Sequence, residues 1–327
     1  MAELKTQYLS LNLKNPLLVS SSGITGSLSG VRQCASAGAG AVVLKSLFEE
    51  QISAELGGAG GSLGSAFPVE AEGYLEMLGK TAGPASYLDL IRQCKQEISV
   101  PVIASVNCQT SGWWTEYAQQ IEQAGADALE LNIAIMPHRQ DQTAKDLEDR
   151  MITVVKQVRS HTTLPLAVKI GSHFTALPHT VRALKDAGAG AVVLFNRFYQ
   201  FDIDPVALKP VPFNRYSSSE DLSRPLRWTS ILAPQNICEL SLTTGIHRGL
   251  DAAKALVAGA QTIQVASVLY KKKIAAVGII LEELDSWLDQ NGYASVDAAR
   301  GQLAQKGNYK PEELERIQYI QAITDKS

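Results

Sequence analysis

The chain is poor in cysteine. Its four thiols, Cys34, Cys94, Cys108 and Cys238, include no C-x-x-C pair, and the nearest two lie fourteen positions apart. That spacing gives no support to a zinc site, an iron–sulfur cluster or a disulfide framework. It reads as buried or idle thiols in a reducing cytoplasm. Long apolar runs are also missing. None approaches 18 residues, so no bilayer-spanning helix is expected. The first residues, Met1-Ala2-Glu3-Leu4-Lys5, are polar and do not resemble a signal peptide. Excess charge is absent too: 30 Lys+Arg stand against 33 Asp+Glu, a net −3. This offers no electrostatic footprint for nucleic acid or an anionic membrane. What remains is ordinary globular composition, 45% hydrophobic and 19% charged, over 327 residues.

One phrase recurs. Ala37-Gly38-Ala39-Gly40-Ala41-Val42-Val43-Leu44 is nearly repeated as Ala187-Gly188-Ala189-Gly190-Ala191-Val192-Val193-Leu194, with weaker copies around Gly125 and Gly259. It reads as a helix end, a left-handed glycine cap and the start of a buried strand. Further apolar runs bring the strand count to eight: 16–20, 41–45, 102–105, 128–132, 166–169, 191–195, 239–243 and 262–265. Helical spacing of apolar residues lies between them, over Ser29–Ala37, Ala85–Glu97, Trp114–Ala124, Leu147–His161, Leu177–Ala187 and Asp251–Val257. Eight strands alternating with helices predict a single-domain α/β structure over 1–327, a (βα)8 TIM barrel. A doubly wound sheet is the alternative, but Ser21-Ser22-Gly23-Ile24-Thr25-Gly26 does not make the expected glycine fingerprint.

Two connections, 46–100 and 197–236, are long and follow strands. They are expected as insertions over the active-site face. The segment 285–327 reads as a C-terminal helical tail.

Catalytic groups of such barrels sit where strands end. Those ends here are Ser21-Ser22-Gly23, Lys45-Ser46, Ser105-Val106-Asn107, Asn132, Lys169, Asn196-Arg197, Thr243-Thr244-Gly245-Ile246 and Ala266-Ser267. The set is polar, neutral or cationic, and nearly free of carboxylates. It suits a flat, anionic, hydrogen-bonding ligand. It does not suit a glycosidase or a magnesium site. The seventh and eighth ends have the hydroxyls and glycine of a phosphate loop, although an ordinary helix cap would read the same way. Lys45 and Lys169 end apolar strands, where an unpaired buried ammonium is costly. Each is either a functional cation or a rim lysine with its head in water.

Taken in order, Ser21-Ser22-Gly23, Lys45-Ser46, Leu131-Asn132, Val168-Lys169, Asn196 and Thr244-Gly245-Ile246 resemble the dihydroorotate dehydrogenase family. The resemblance implies FMN as cofactor and oxidation of dihydroorotate to orotate in pyrimidine synthesis. It assigns Ser22, Gly23, Lys45, Ser46, Asn132, Lys169, Thr244, Gly245, Ile246, Ala266 and Ser267 to the flavin. Asn132, Asn196 and Arg197 fall to a small anionic substrate. Lys45 is implied beside the reacting ring. Length and polarity are most similar to the fumarate-reducing homodimers of the family, which implies a cytoplasmic dimer without membrane or nucleic-acid partners. The family form that passes electrons to NAD through an iron–sulfur partner subunit is the alternative, since this chain's lack of cluster cysteines does not speak for a partner.

The departures are as informative. The family places Cys or Ser as catalytic base after the fourth strand. Here the stretch is Asn132-Ile133-Ala134-Ile135-Met136-Pro137-His138, which puts Ile135 or Met136 at that position. Neither accepts a proton, and His138 is the candidate replacement. The family's Asn-rich substrate loop after strand two is not recognisable in Gly64–Glu70. Three readings follow. The first is an FMN oxidoreductase with an altered substrate site. The second is a flavin-binding barrel that has lost this chemistry and serves as an electron-transfer or regulatory subunit. The third is an isomerase or synthase of another phosphate-binding barrel family.

Overall fold

The computed structural model describes residues 2–48, 51, 83–108, 114–133, 135–137, 139–197, 200–213, 216–304 and 311–324. Eight parallel strands form a closed barrel: β1 Leu17–Val19, β2 Ala41–Val43, β3 Val102–Cys108, β4 Ala128–Ile133, β5 Leu166–Ile170, β6 Ala191–Leu194, β7 Glu239–Thr243 and β8 Thr262–Val265. Neighbours pair in sequence order, β8 pairs with β1, and β2–β3 completes the ring. All eight expected strands are present, so the barrel stands and the doubly wound sheet does not.

Among the described residues, nine helices cover the ring or follow it: α1 Leu28–Ser36, α2 Pro84–Glu97, α3 Trp114–Gln123, α4 Ala144–His161, α5 Leu177–Asp186, α6 Ser223–Leu232, α7 Gly249–Val257, α8 Ser267–Lys272 and α9 Ala276–Gln290. Two more, α10 Val296–Ala299 and α11 Pro311–Thr324, come last. The stretch 197–236, expected as an insertion, holds an antiparallel hairpin, Phe201–Asp204 with Lys209–Pro212, and then the crossover helix α6. The expected start of the tail, residue 285, falls inside α9, which packs against α7. Of the other expected insertion, residues 52–82 lie outside the described residues.

The recurring glycines behave as caps. Gly38, Gly125, Gly188 and Gly259 have φ of +107°, +96°, +114° and +108°. An L-residue held left-handed costs about 1–2 kcal/mol, which is why the phrase keeps glycine.

Strand side chains alternate between two cores. Residues such as Val42, Leu129 and Val168 face the helices. Leu18, Ala41, Val43, Ile103, Ala128, Ala167, Ala191 and Val193 face the barrel axis. The alanines leave room for Tyr8, Leu9 and Leu13 of an N-terminal hairpin, Thr6–Tyr8 with Leu11–Leu13, which fills the lower mouth. Further along, the interior turns polar on several strands, at Ser20, Ser105, Glu130, Lys169 and Gln264. No helix among the described residues is long and apolar enough to cross a membrane. Among the described residues no group of three His, Cys, Asp or Glu side chains could hold a metal ion.

Candidate active site

The polar half of the barrel interior begins with Glu130, which is 1% exposed although it lies in the middle of an apolar strand. It shares the inward face of β4 with Ala128 and Asn132, because strand side chains alternate. Lys169, inward on β5, is 6% exposed, and its Nζ lies 3.7 Å from Glu130 Oε1. The same ammonium donates to Ser20 Oγ at 3.0 Å. Ser20 in turn donates to Gln264 Oε1 at 3.0 Å, and Gln264 Nε2 donates to Glu130 Oε2 at 2.9 Å. Removing one member of a buried ion pair leaves the other uncompensated, at about 3–5 kcal/mol.

Above this network lies a cavity of about 160 Å³. Its walls bring together Lys169, Asn196, Arg197, Thr244, Gly245, Ile246, Ala266 and Ser267, eight of the residues singled out from sequence. A larger cavity of about 690 Å³ shares Phe195, Asn196, Arg197 and Thr244 with it and adds Arg224 and Arg227. Arg224 donates to Ser172 Oγ at 3.0 Å, and Arg227 pairs with Glu315 at 3.4 Å.

The loop after β7 is shaped by Gly245, at φ +84°. A Cβ there would stand 2.4 Å from the Leu222 backbone nitrogen, so the position excludes any side chain. Ser217 bridges this loop to the one after β8. Its N–H donates to Ser267 Oγ at 3.0 Å, and its own Oγ accepts from the Gly245 N–H at 3.4 Å. His247 Nε2 lies 3.1 Å from that hydroxyl, and Lys271 Nζ donates to the Ser217 carbonyl at 2.7 Å. Burial pushes the His247 imidazole below its ordinary value. Lys271 pushes it the same way, while Asp251 opposes.

A serine relay covers the other wall. Ser46 Oγ is 2.7 Å from Ser105 Oγ and 3.0 Å from Ser21 Oγ, and the Ser46 N–H donates to Ser21 Oγ at 2.8 Å. Tyr87 locks Ser105 by donating to its carbonyl and accepting from its N–H. Asn196 Nδ2 donates to Asn132 Oδ1 at 2.8 Å, joining two strand ends. Ser22, Gly23 and Lys45 sit beside these groups without lining the small cavity. The buried Ser22 hydroxyl has no hydrogen-bond partner among the described residues. Tyr270 crowds Gly23, and the Lys45 stem runs over Gly26.

At the position of the family base, Ile135 packs against the core and Met136 is 55% exposed. The His173 Nε2 lies 3.1 Å from the Ile135 carbonyl oxygen. His138 lies outside the described residues.

The model of one protein family, dihydroorotate dehydrogenase, matches residues 3–211. The chain belongs to that family. It is therefore an oxidoreductase of the dihydroorotate dehydrogenase type, and the reading as an isomerase or synthase is set aside. Two archaeal relatives match over most of this chain. The catalytic subunit of dihydroorotate dehydrogenase B (NAD(+)) from Methanocaldococcus jannaschii is 26% identical over 88% of this chain and 94% of its own. The protein of the same name from Pyrococcus furiosus is 26% identical over 93% of this chain and 99% of its own. A putative dihydroorotate dehydrogenase A (fumarate) from Aeropyrum pernix is 28% identical over 63% and 69%.

Sequence reasoning missed Glu130, Gln264, Ser217 and His247. Glu130 and Gln264 carried a signal, as polar residues inside apolar strands two positions from an inward or strand-end residue. Ser217 carried none, because its placement depends on how α6 returns over the barrel.

Proposed function

We propose that this chain is an FMN-dependent oxidoreductase that removes hydrogen across a CH–CH bond of dihydroorotate or a close anionic analogue. The observation that carries this reading is the convergence of Lys169, Asn196, Thr244, Gly245, Ile246 and Ser267 on one cavity at the strand ends. The donor set fits the cofactor. Neutral N–H and hydroxyl groups around a side-chain-free glycine suit phosphate oxygens. A buried ammonium suits the flavin edge that gains negative charge on reduction. FMN, when bound, supplies the hydride acceptor.

In this reading Gly245, Ile246, Ala266 and Ser267 hold the phosphate, with Thr244. Ser22, Gly23, Ser46 and Asn132 face the ring, and Lys45 with Lys169 supplies positive charge. Asn132, Asn196 and Arg197 orient the anionic substrate. His138, three residues past Ile135, is the base. The partner is a second copy of the chain, met through the apolar hairpin after β6, and the setting is cytoplasmic.

Ile135 at the base position favours a second reading, a flavin barrel that has lost dihydroorotate chemistry and passes electrons or regulates a partner. One experiment separates the two: anaerobic visible-absorption titration of the FMN-loaded chain with dihydroorotate, then reoxidation with fumarate or NAD+. Prompt stoichiometric bleaching supports the enzyme, and His138→Ala is expected to slow it about 10²-fold or more. A flavin band that stays oxidised supports the second reading.

A further inference from the structure

Three strands and the residue that follows β1 contribute one side chain each to a closed ring inside the barrel. Lys169 Nζ donates to Ser20 Oγ, Ser20 to Gln264 Oε1, and Gln264 Nε2 to Glu130 Oε2, while Glu130 Oε1 returns to Lys169 at 3.7 Å. Every donor and acceptor runs in one direction. Ser20 has a single proton, and with the ammonium donating to it that proton goes to Gln264. The amide is thereby oriented with its NH2 towards the carboxylate. Glu130 Oε1 is buried and has no hydrogen-bond partner among the described residues, so its interaction with Lys169 is charge alone.

A lysine stem is flexible, and its ammonium is a compact charge that a dry interior does not keep without an anion. Lys169 lines the small cavity, whereas Glu130 does not. We infer that Glu130 and Gln264 are positioning residues. Glu130 is the counter-ion that holds the Lys169 ammonium at the cavity floor, and Gln264 holds both Glu130 and Ser20 in register. Through Lys169 they set how strongly the reduced flavin is favoured over the oxidised one. This rests on the FMN reading above.

The test is the flavin midpoint potential, measured by anaerobic dye equilibration on the FMN-loaded chain, with FMN affinity as a second readout. The Glu130→Gln variant keeps a hydrogen-bonding side chain of the same shape and removes the charge. A carboxylate acting directly on the flavin would raise the potential when removed. One acting through Lys169 lowers it, because the ammonium without its partner is no longer held at the cavity floor. The expected result is a reduced form bound about tenfold less favourably relative to the oxidised form, which is about 30 mV lower for a two-electron couple. In a Lys169→Met background the same substitution is expected to change nothing further. Gln264→Leu, which leaves the ion pair but removes both hydrogen bonds of the side-chain amide, is expected to shift the potential the same way by less, again only when Lys169 is present. It serves if Glu130→Gln does not fold. A rise in potential, or equal shifts with and without Lys169, overturns this inference alone. A wild-type chain that takes up no FMN overturns it together with the functional reading.

Discussion

Single residues at the strand ends were legible in sequence because their chemistry is out of place there. A lysine closing an apolar run, as at 169, or Thr-Gly after a strand, as at 244–245, stands out against its neighbours. Glu130 was hidden for the opposite reason: it lies one layer below the end, where a scan of terminal residues does not look. Alternation from Asn132 points straight at it. His247 was hidden because its role depends on Ser217, thirty positions away. Its lowered pKa has a consequence for stability. An unfolded histidine titrates near 6.5. Between that value and the lower folded one, the unfolded chain holds a proton that the folded chain lacks. Stability is therefore full above about pH 6.5 and falls as pH drops towards the folded value. Thermal unfolding of the wild type and His247→Gln at pH 7.5 and 5.5 checks this. The wild type is expected to lose more melting temperature on acidification than the variant.

At the scale of elements, the sequence showed six of the helices within a few residues, and α6 was not among them. Prolines at 205, 210, 212, 225 and 234 made 197–236 read as a loop. The structure puts Pro210 and Pro212 in a two-stranded hairpin and Pro225 at the third position of α6. The N–H groups of a helix's first turn have no intrahelical acceptor, so proline costs little there. The hairpin itself needs explanation, since an isolated two-stranded ribbon is marginal in water. It exposes Phe201, Ile203, Val206 at 92% and Leu208 at 85%. Such a surface fits contact with a second copy. Sedimentation velocity of the double variant Val206→Asp with Leu208→Asp tests this. The wild type is expected to run as a dimer and the variant as a monomer. Both side chains already face solvent, so the fold should change by no more than about 0.5 kcal/mol. A wild-type monomer, or a variant that stays dimeric, removes the hairpin from the interface.

At the scale of the molecule, the barrel divides its work along its axis. The lower mouth is closed by packing, with Tyr8, Leu9 and Leu13 against a ring of alanines. The upper mouth carries the polar layer, the loops and the cavities. The repeated Ala-Gly phrase encoded the lower half plainly, because each copy supplies a cap and a small inward residue. What fills the space those alanines leave was not legible, since the plug comes from a short hairpin before β1. Tyr8 is 1% exposed, and burial first, then Glu130 and Glu239, pushes its phenol towards the neutral form. Truncating a large buried aromatic to alanine costs about 3–5 kcal/mol. Tyr8→Ala is therefore expected to lower the urea midpoint clearly. The ring of Ser20, Gln264, Glu130 and Lys169 closes without Tyr8. FMN affinity, measured by fluorescence quenching in the absence of urea, should then change less than about twofold, since residues that share no hydrogen bond largely separate in their effects and none of the ring's hydrogen bonds runs through Tyr8. A parallel loss of affinity would mean that the plug and the polar layer respond as one unit, and that the apolar floor helps to hold the ammonium above it.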